Sequence, residues 1–255
     1  MQRRSFMSSL MAASAASAAG PDKKTRFYAL EQYFLKQGTQ IGRVHQLWSQ
    51  GLLPAMNKIH NGPKIFLEAL IAPHMPQAAA IFGYDSLDQM RSVTARLHED
   101  QALVKAFEQA ESGPEALVEH QSTILLEATD YSPDIVVPAK PAAAPRIFEL
   151  RVYHSPTWRQ LHLLHQRFAG PEIKIFHRVG VHPLLYTQTI IGPNMPNLTY
   201  LIPFDDLAAR EKAWNAFGAD PEWIKARQES IDKGGQISSV IQIALYKATA
   251  YSPIR

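Results

Sequence analysis

The residues best suited to chemistry lie in a stretch that reads as a β-strand, Arg146-Ile-Phe-Glu-Leu-Arg-Val-Tyr153. Strand side chains alternate between faces. Phe148, Leu150 and Val152 therefore form one face, and Glu149, Arg151 and Tyr153 the other. A guanidinium, a carboxylate and a phenol on one face can bind and orient a polar small molecule, because charge-assisted hydrogen bonds fix direction as well as affinity. The same groups can instead satisfy one another and set register, with Arg151 paired to Glu149 or Glu31. An earlier strand offers Ala29, Glu31 and Tyr33 in the same phase. Two later strands offer Phe66, Glu68 and Leu70 beside Tyr186, Gln188 and Ile190. The candidate ligand set is thus Glu31, Tyr33, Glu68, Glu149, Arg151, Tyr153, Tyr186 and Gln188. His45 and His165 are the candidate catalytic residues. An imidazole titrates near neutrality and can act as a general base. On an apolar helix face it can equally be a satisfied core group. His162 and His165 are spaced to chelate on one helix face but lack a third ligand, so no metal site is predicted.

These residues recur because the chain is duplicated. A constant offset of 120 residues carries Tyr33 onto Tyr153, His45-Gln46 onto His165-Gln166 and Pro73, Met75 and Pro76 onto Pro193, Met195 and Pro196. It also carries Thr129 and Tyr131-Ser132-Pro133 onto Thr249 and Tyr251-Ser252-Pro253. Each copy is far longer than a solenoid repeat of about 20–50 residues. The reading is therefore two small domains, over 21–132 and 146–255, joined by a Pro/Ala-rich spacer over 133–145.

Within the first copy, strands are predicted over 26–34, 64–72, 77–84 and 122–131, with helices over 39–59 and from an Asp85-Ser86 cap to 111. The second copy repeats the order. Strands fall over 146–154, 182–192, 197–204 and 238–249, and helices over 157–179 and from Asp205-Asp206 onward, with a restart at Asp220-Pro221. The order β-α-β-β-α-β is the ferredoxin-like motif.

Composition narrows the classes. Apolar residues make up 46% and charged residues 19% of the 255, as expected for a packed globular protein. The formal charge is +3, and two of the positive charges, Arg3 and Arg4, sit in an apparent leader. The remainder is near neutral, so nucleic acid is not an expected partner. With no cysteine, thiol chemistry and disulfides are excluded. Residues 1–20 read as an export signal: Arg3-Arg4-Ser5-Phe6, then a mild Ala/Ser-rich run with small residues at Ala16 and Ala18. The paired arginines resemble a twin-arginine signal and imply a periplasmic or secreted protein. No membrane span is expected once the leader is removed.

Two runs carry a family resemblance. Phe148-Glu-Leu-Arg-Val-Tyr153 and Phe204-Asp-Asp-Leu-Ala-Ala-Arg-Glu-Lys-Ala-Trp-Asn-Ala-Phe-Gly-Ala-Asp-Pro-Glu-Trp223 resemble the opening strand and the Asp-Pro-x-Trp helix of the NIPSNAP family. The resemblance spans 146–250. In the first copy Ala29, Glu31, Gln101 and Leu103 replace the motif's Glu, Arg, Pro and Trp. It implies an α+β fold in which two tandem ferredoxin-like units close a dimeric α+β barrel within one chain. On that architecture the face with Glu149, Arg151 and Tyr153 is expected to line the lumen, and Phe148, Leu150 and Val152 to pack on helices. The first functional reading is a small-molecule ligand held in the lumen, with or without catalysis. The alternatives are an assembly protein with a structural barrel, and an enzyme like the fold's cofactor-independent monooxygenases or haem enzymes. No cofactor is predicted, with haem as the alternative, and a homo-oligomer is expected.

Overall fold

The computed structural model describes residues 25–255, so the expectations for the leader lie outside the described residues. The first half supplies β1 (Phe27–Phe34), α1 (Gln40–Leu47), α2 (Leu53–Ile59), β2 (Lys64–Ile71), β3 (Gln77–Tyr84), α3 (Leu87–Glu99), α4 (Gln101–Glu111) and β4 (His120–Ala128). The second supplies β5 (Ile147–His154), α5 (Trp158–Arg167), α6 (Ile173–Arg178), β6 (Leu185–Ile191), β7 (Asn197–Phe204), α7 (Leu207–Ala219), α8 (Pro221–Gly234) and β8 (Val240–Ala248). A π-helical turn joins α1 to α2 over Trp48–Leu52, and another joins α5 to α6 over Phe168–Glu172. Pro171 lies inside the second turn and Gly170 leaves helical geometry there, because proline has no N–H to continue the ladder.

Local chemistry sets the element ends. The Ser86 side chain accepts from Gln89 N, and Asp206 from Ala209 N, at the starts of α3 and α7. The single helix expected to 111 is two, because Asp100 ends α3 in extended geometry and caps α4. Asp220 caps α8 in the same way, with Pro221 at the first position.

All eight strands are antiparallel to their neighbours and close into one barrel, in the order β1-β3-β2-β8-β5-β7-β6-β4. Each half contributes a four-stranded sheet, and the seams are β2–β8 and β4–β6. The repeated Thr-x-Tyr-Ser-Pro tails tie the seams. Thr129 N donates to Tyr186 O and Tyr186 N to Ser132 Oγ, while Thr249 N donates to Phe66 O and Phe66 N to Ser252 Oγ. The tail of each half is thus bonded to the other half.

The expected assignment of strand faces is inverted. Tyr28, Leu30, Ile65, Leu67, Phe148, Leu150, Leu201 and Tyr246 share one buried cluster drawn from strands all round the barrel, which places them in the lumen. Ala29, Tyr33, Phe66 and Ala80 pack with α1–α4, and Tyr153, Tyr186 and Tyr200 with α5–α8. The reason is dimensional. An eight-stranded barrel has an interior just wide enough for side chains to fill. A charged group there would find neither water nor a partner, whereas the layer under the helices offers helix-borne partners.

Candidate functional site

Four separate places hold the eight predicted ligand residues, and none of these residues lies in the lumen. In the first half, Tyr33 Oη donates to Glu31 Oε2 at 3.0 Å beneath α1 and α2. Burial raises the Glu31 carboxyl above its usual range. Glu68 lies at the β2–β8 seam and bonds His45, and Gln188 reaches Glu127 across the β4–β6 seam at 3.4 Å. Glu149, Arg151, Tyr153 and Tyr186 gather in the sheet–helix layer of the second half.

In that layer the Glu149 carboxylate is fully buried and fully engaged. It accepts from Arg151 Nη1 at 2.6 Å, Arg210 Nε at 2.6 Å and Nη2 at 3.1 Å, and Trp214 Nε1 at 2.9 Å. The Arg151 guanidinium also sits 4.2 Å from the Trp214 ring centre. Arg210 and Trp214 are four apart on α7 and share one face. The sequence reading named neither Arg210 nor Trp214 as a site residue, although their spacing was there to see.

A second buried carboxylate, Glu172, ends the π-turn. One oxygen accepts from Arg167 Nε at 2.7 Å and the other has no hydrogen-bond partner among the described residues. Burial raises its carboxyl, with the Arg167 charge opposing. Its charge in turn helps to raise the hydroxyls of Tyr131, Tyr186 and Tyr200, all of them raised chiefly by burial. The Tyr186 hydroxyl is buried and unpartnered. The first half has Leu47, Leu52, Phe66 and Ala80 at the positions of Arg167, Glu172, Tyr186 and Tyr200, so this polar cluster belongs to the second half alone. Glu172 was missed because nothing in its local spacing within the helix expected over 157–179 marks it as buried.

The two histidines form reciprocal clasps. His45 Nδ1 bonds the hydroxyl of Tyr251 at 2.7 Å, and His165 Nδ1 that of Tyr131 at 2.6 Å. Each tyrosine comes from the other half. His45 Nε2 is engaged by Glu68 at 2.9 Å, and His165 Nε2 is buried without a partner. Burial, helped by nearby His162, lowers His165 to about 4. A haem does not fit here. Both nitrogens of His45 are engaged, and the layer beside His165 is filled by Phe168, Phe176, Tyr186 and Tyr200 in ring–ring contact. Among the described residues no three His, Asp or Glu side chains are placed to hold a metal.

The lumen contains a cavity of about 210 Å³ at the end to which β1 and β5 run. The β2–β3 and β6–β7 hairpins border it through Pro73, Pro193 and Asn194. Leu30, Phe34, Ile124, Leu150, Val152 and Ala244 supply the apolar wall, and Gln32, Thr189, Asn197, Thr199, Gln242 and Tyr246 the polar groups. Among the described residues no charged side chain lines it. Asn197 Oδ1 accepts from Thr189 and Thr199 at 2.8 and 3.1 Å, so these walls are held by their own bonds. Burial pushes the Tyr246 hydroxyl up to about 12, so it is a neutral donor near pH 7.

Comparison with known proteins follows this geometry. The sequence profile of the NIPSNAP family matches residues 28–133 and 148–253, once in each half. No match is found among curated proteins. Among solved structures, a candidate monooxygenase from Fusobacterium nucleatum is 8% identical, with a TM-score of 0.57 over 88% of this chain and 93% of its own. An anthrone oxidase-like protein is 10% identical, with a TM-score of 0.54 over 88% and 92%. A chlorite dismutase from Candidatus Nitrospira defluvii, solved with imidazole, is 10% identical, with a TM-score of 0.50 over 90% and 93%. At these identities the likeness shows the barrel fold alone.

Proposed function

This chain belongs to the NIPSNAP family, and on that premise we propose that it binds a small neutral molecule in the lumen of its own barrel. The observation that carries the reading is the cavity at the hairpin end, which joins an apolar wall to hydroxyl and amide groups and has no charge. Ligand sites are concave, mostly apolar and furnished with a few placed polar groups. An ionised ligand would lose its hydration here and gain no counter-charge. Liquid water takes about 30 Å³ per molecule, so the volume suits a ligand of roughly seven to ten non-hydrogen atoms. The test uses benzyl alcohol as neutral probe, with benzoate and benzylammonium as charged controls. Benzyl alcohol should raise the melting temperature and the charged probes should not. Val152→Trp, which fills the mouth, should abolish the effect while keeping the far-UV spectrum. Equal stabilisation by benzoate, or binding that survives Val152→Trp, contradicts the reading.

The buried Glu172 favours a second reading. A carboxyl with one unpartnered oxygen, ringed by raised tyrosines, is the kind of perturbed group that marks acid–base sites. The chain would then act on a ligand admitted by displacement of the rings that fill the layer under the π-turn of the second half. Retention of probe binding in Glu172→Gln separates the lumen from this layer.

Export is part of the proposal. Arg3-Arg4-Ser5-Phe6 and the Ala/Ser-rich run after it support a twin-arginine leader and a periplasmic or secreted protein. No helix among the described residues is long and apolar enough to cross a membrane. Replacing Arg3 and Arg4 by Lys should hold the chain in the cytoplasmic fraction. Unchanged fractionation would count against the route.

A further inference from the structure

The seams between the two halves are short, and each leaves a bare strand edge. β8 pairs with β2 only from Leu245 to Ala248, so among the described residues Val240–Ala244 is bonded to β5 on one side and to no strand on the other. β4 is equivalent. It pairs with β6 only from Leu125 to Ala128, which leaves His120–Ile124 bonded to β1 alone. The duplication makes one edge a control for the other. The β4 edge reads His-Gln-Ser-Thr-Ile and is polar. The β8 edge reads Val-Ile-Gln-Ile-Ala, with Val240, Ile241 and Ile243 exposed by 51%, 46% and 41%. Leu70 and Ile71, at the nearby end of β2, are also exposed.

Bare edges invite pairing, and proteins usually blunt them with charge, proline or a covering element. The β4 edge is at least polar. The β8 edge is uncharged, proline-free and rich in β-branched residues, a composition that promotes strand addition. We propose that it pairs antiparallel with the same edge of a second copy of this chain, giving a twofold dimer. A twofold contact must be self-complementary, and this segment is. Centred on Gln242, it sets Ile241 against Ile243 of the other copy, Val240 against Ala244, and Gln242 against itself. No like charges meet, and every pair on the outer face is aliphatic.

Gln242, Ile243 and Ala244 also line the lumen cavity. The second copy therefore borders the cavity mouth, a corollary that rests on the cavity being the binding site. The dimer stands without it.

The test is the mass of the purified protein by light scattering at micromolar to tens of micromolar concentration. The native chain should run at twice its chain mass. Ile241→Lys, at a position that lies outside the cavity wall and in the twofold register meets Ile243 of the other copy twice, should give a monomer with an unchanged far-UV spectrum, because this side chain is exposed. Gln121→Lys, the matching change on β4, should leave the dimer intact. A monomeric native chain overturns the proposal. So does a dimer that survives the β8 change, or one that dissociates on the β4 change. Benzyl alcohol binding is followed in the same monomeric variant, so failure of the dimer and failure of the lumen site read out separately.

Discussion

Replacing His165 by Gln tests how the clasp between the halves responds to acid. Glutamine can still accept from Tyr131 but does not titrate. In the folded chain burial lowers His165 from 6.5 to about 4, with His162 adding to the fall and Asp130 opposing it. The unfolded chain therefore takes up a proton at this site before the folded chain does. Its contribution to stability is present above about pH 6.5 and is lost as pH falls from there towards 4. At about 1.4 kcal/mol per tenfold change in proton affinity, the full effect is ~3 kcal/mol. Between pH 7 and pH 5 the loss is ~2 kcal/mol. Glu172, raised by burial, acts in the opposite direction in the acid range, but both proteins share it and it cancels in the difference. The assay is urea unfolding followed by circular dichroism at pH 7, 6 and 5. The native chain should lose about 2 kcal/mol more than His165→Gln over that range. Parallel pH profiles would refute the argument and show that His165 is solvated or already charged in the fold.

Other perturbations follow from the buried polar groups. Glu149→Gln leaves Arg151 buried without its counter-charge and should cost about 3–5 kcal/mol in urea unfolding. Glu172→Leu should cost a similar amount by isolating Arg167. Adding Arg167→Leu, which copies the Leu47 and Leu52 of the first half, should restore stability to within about 1 kcal/mol of the native chain, as replacing a buried pair by apolar residues often does. Tyr131→Phe and Tyr251→Phe each remove one clasp bond and should each cost about 1 kcal/mol by thermal unfolding.

Much of the fold was legible because duplication writes the same pattern twice. The offset of 120 marked Thr129, Tyr131 and Ser132 and their copies, and strand and helix periodicity placed the elements within a few residues. What those residues do was not legible, because Tyr131 meets His165 and Ser132 meets Tyr186 only across the two halves. The strand faces went wrong for a related reason. Period-two alternation shows that Glu149, Arg151 and Tyr153 share a face, but not which face points inward when both are buried. Glu149 is completely inaccessible to solvent, yet its partners Arg210 and Trp214 lie about 60 residues on. The lumen wall, Leu30, Leu150, Val152 and Thr199, consists of ordinary strand residues, and no local spacing distinguishes them as a site.

The most direct test of the lumen assignment is an amide chemical-shift titration of the labelled chain with benzyl alcohol. The largest changes should fall on Leu30, Gln32, Leu150, Val152, Thr199 and Ala244, with the other end of the barrel and the outer helices unmoved. Changes centred instead on His165, Glu172 and Tyr186 would contradict the lumen site and move it beneath the π-turn of the second half.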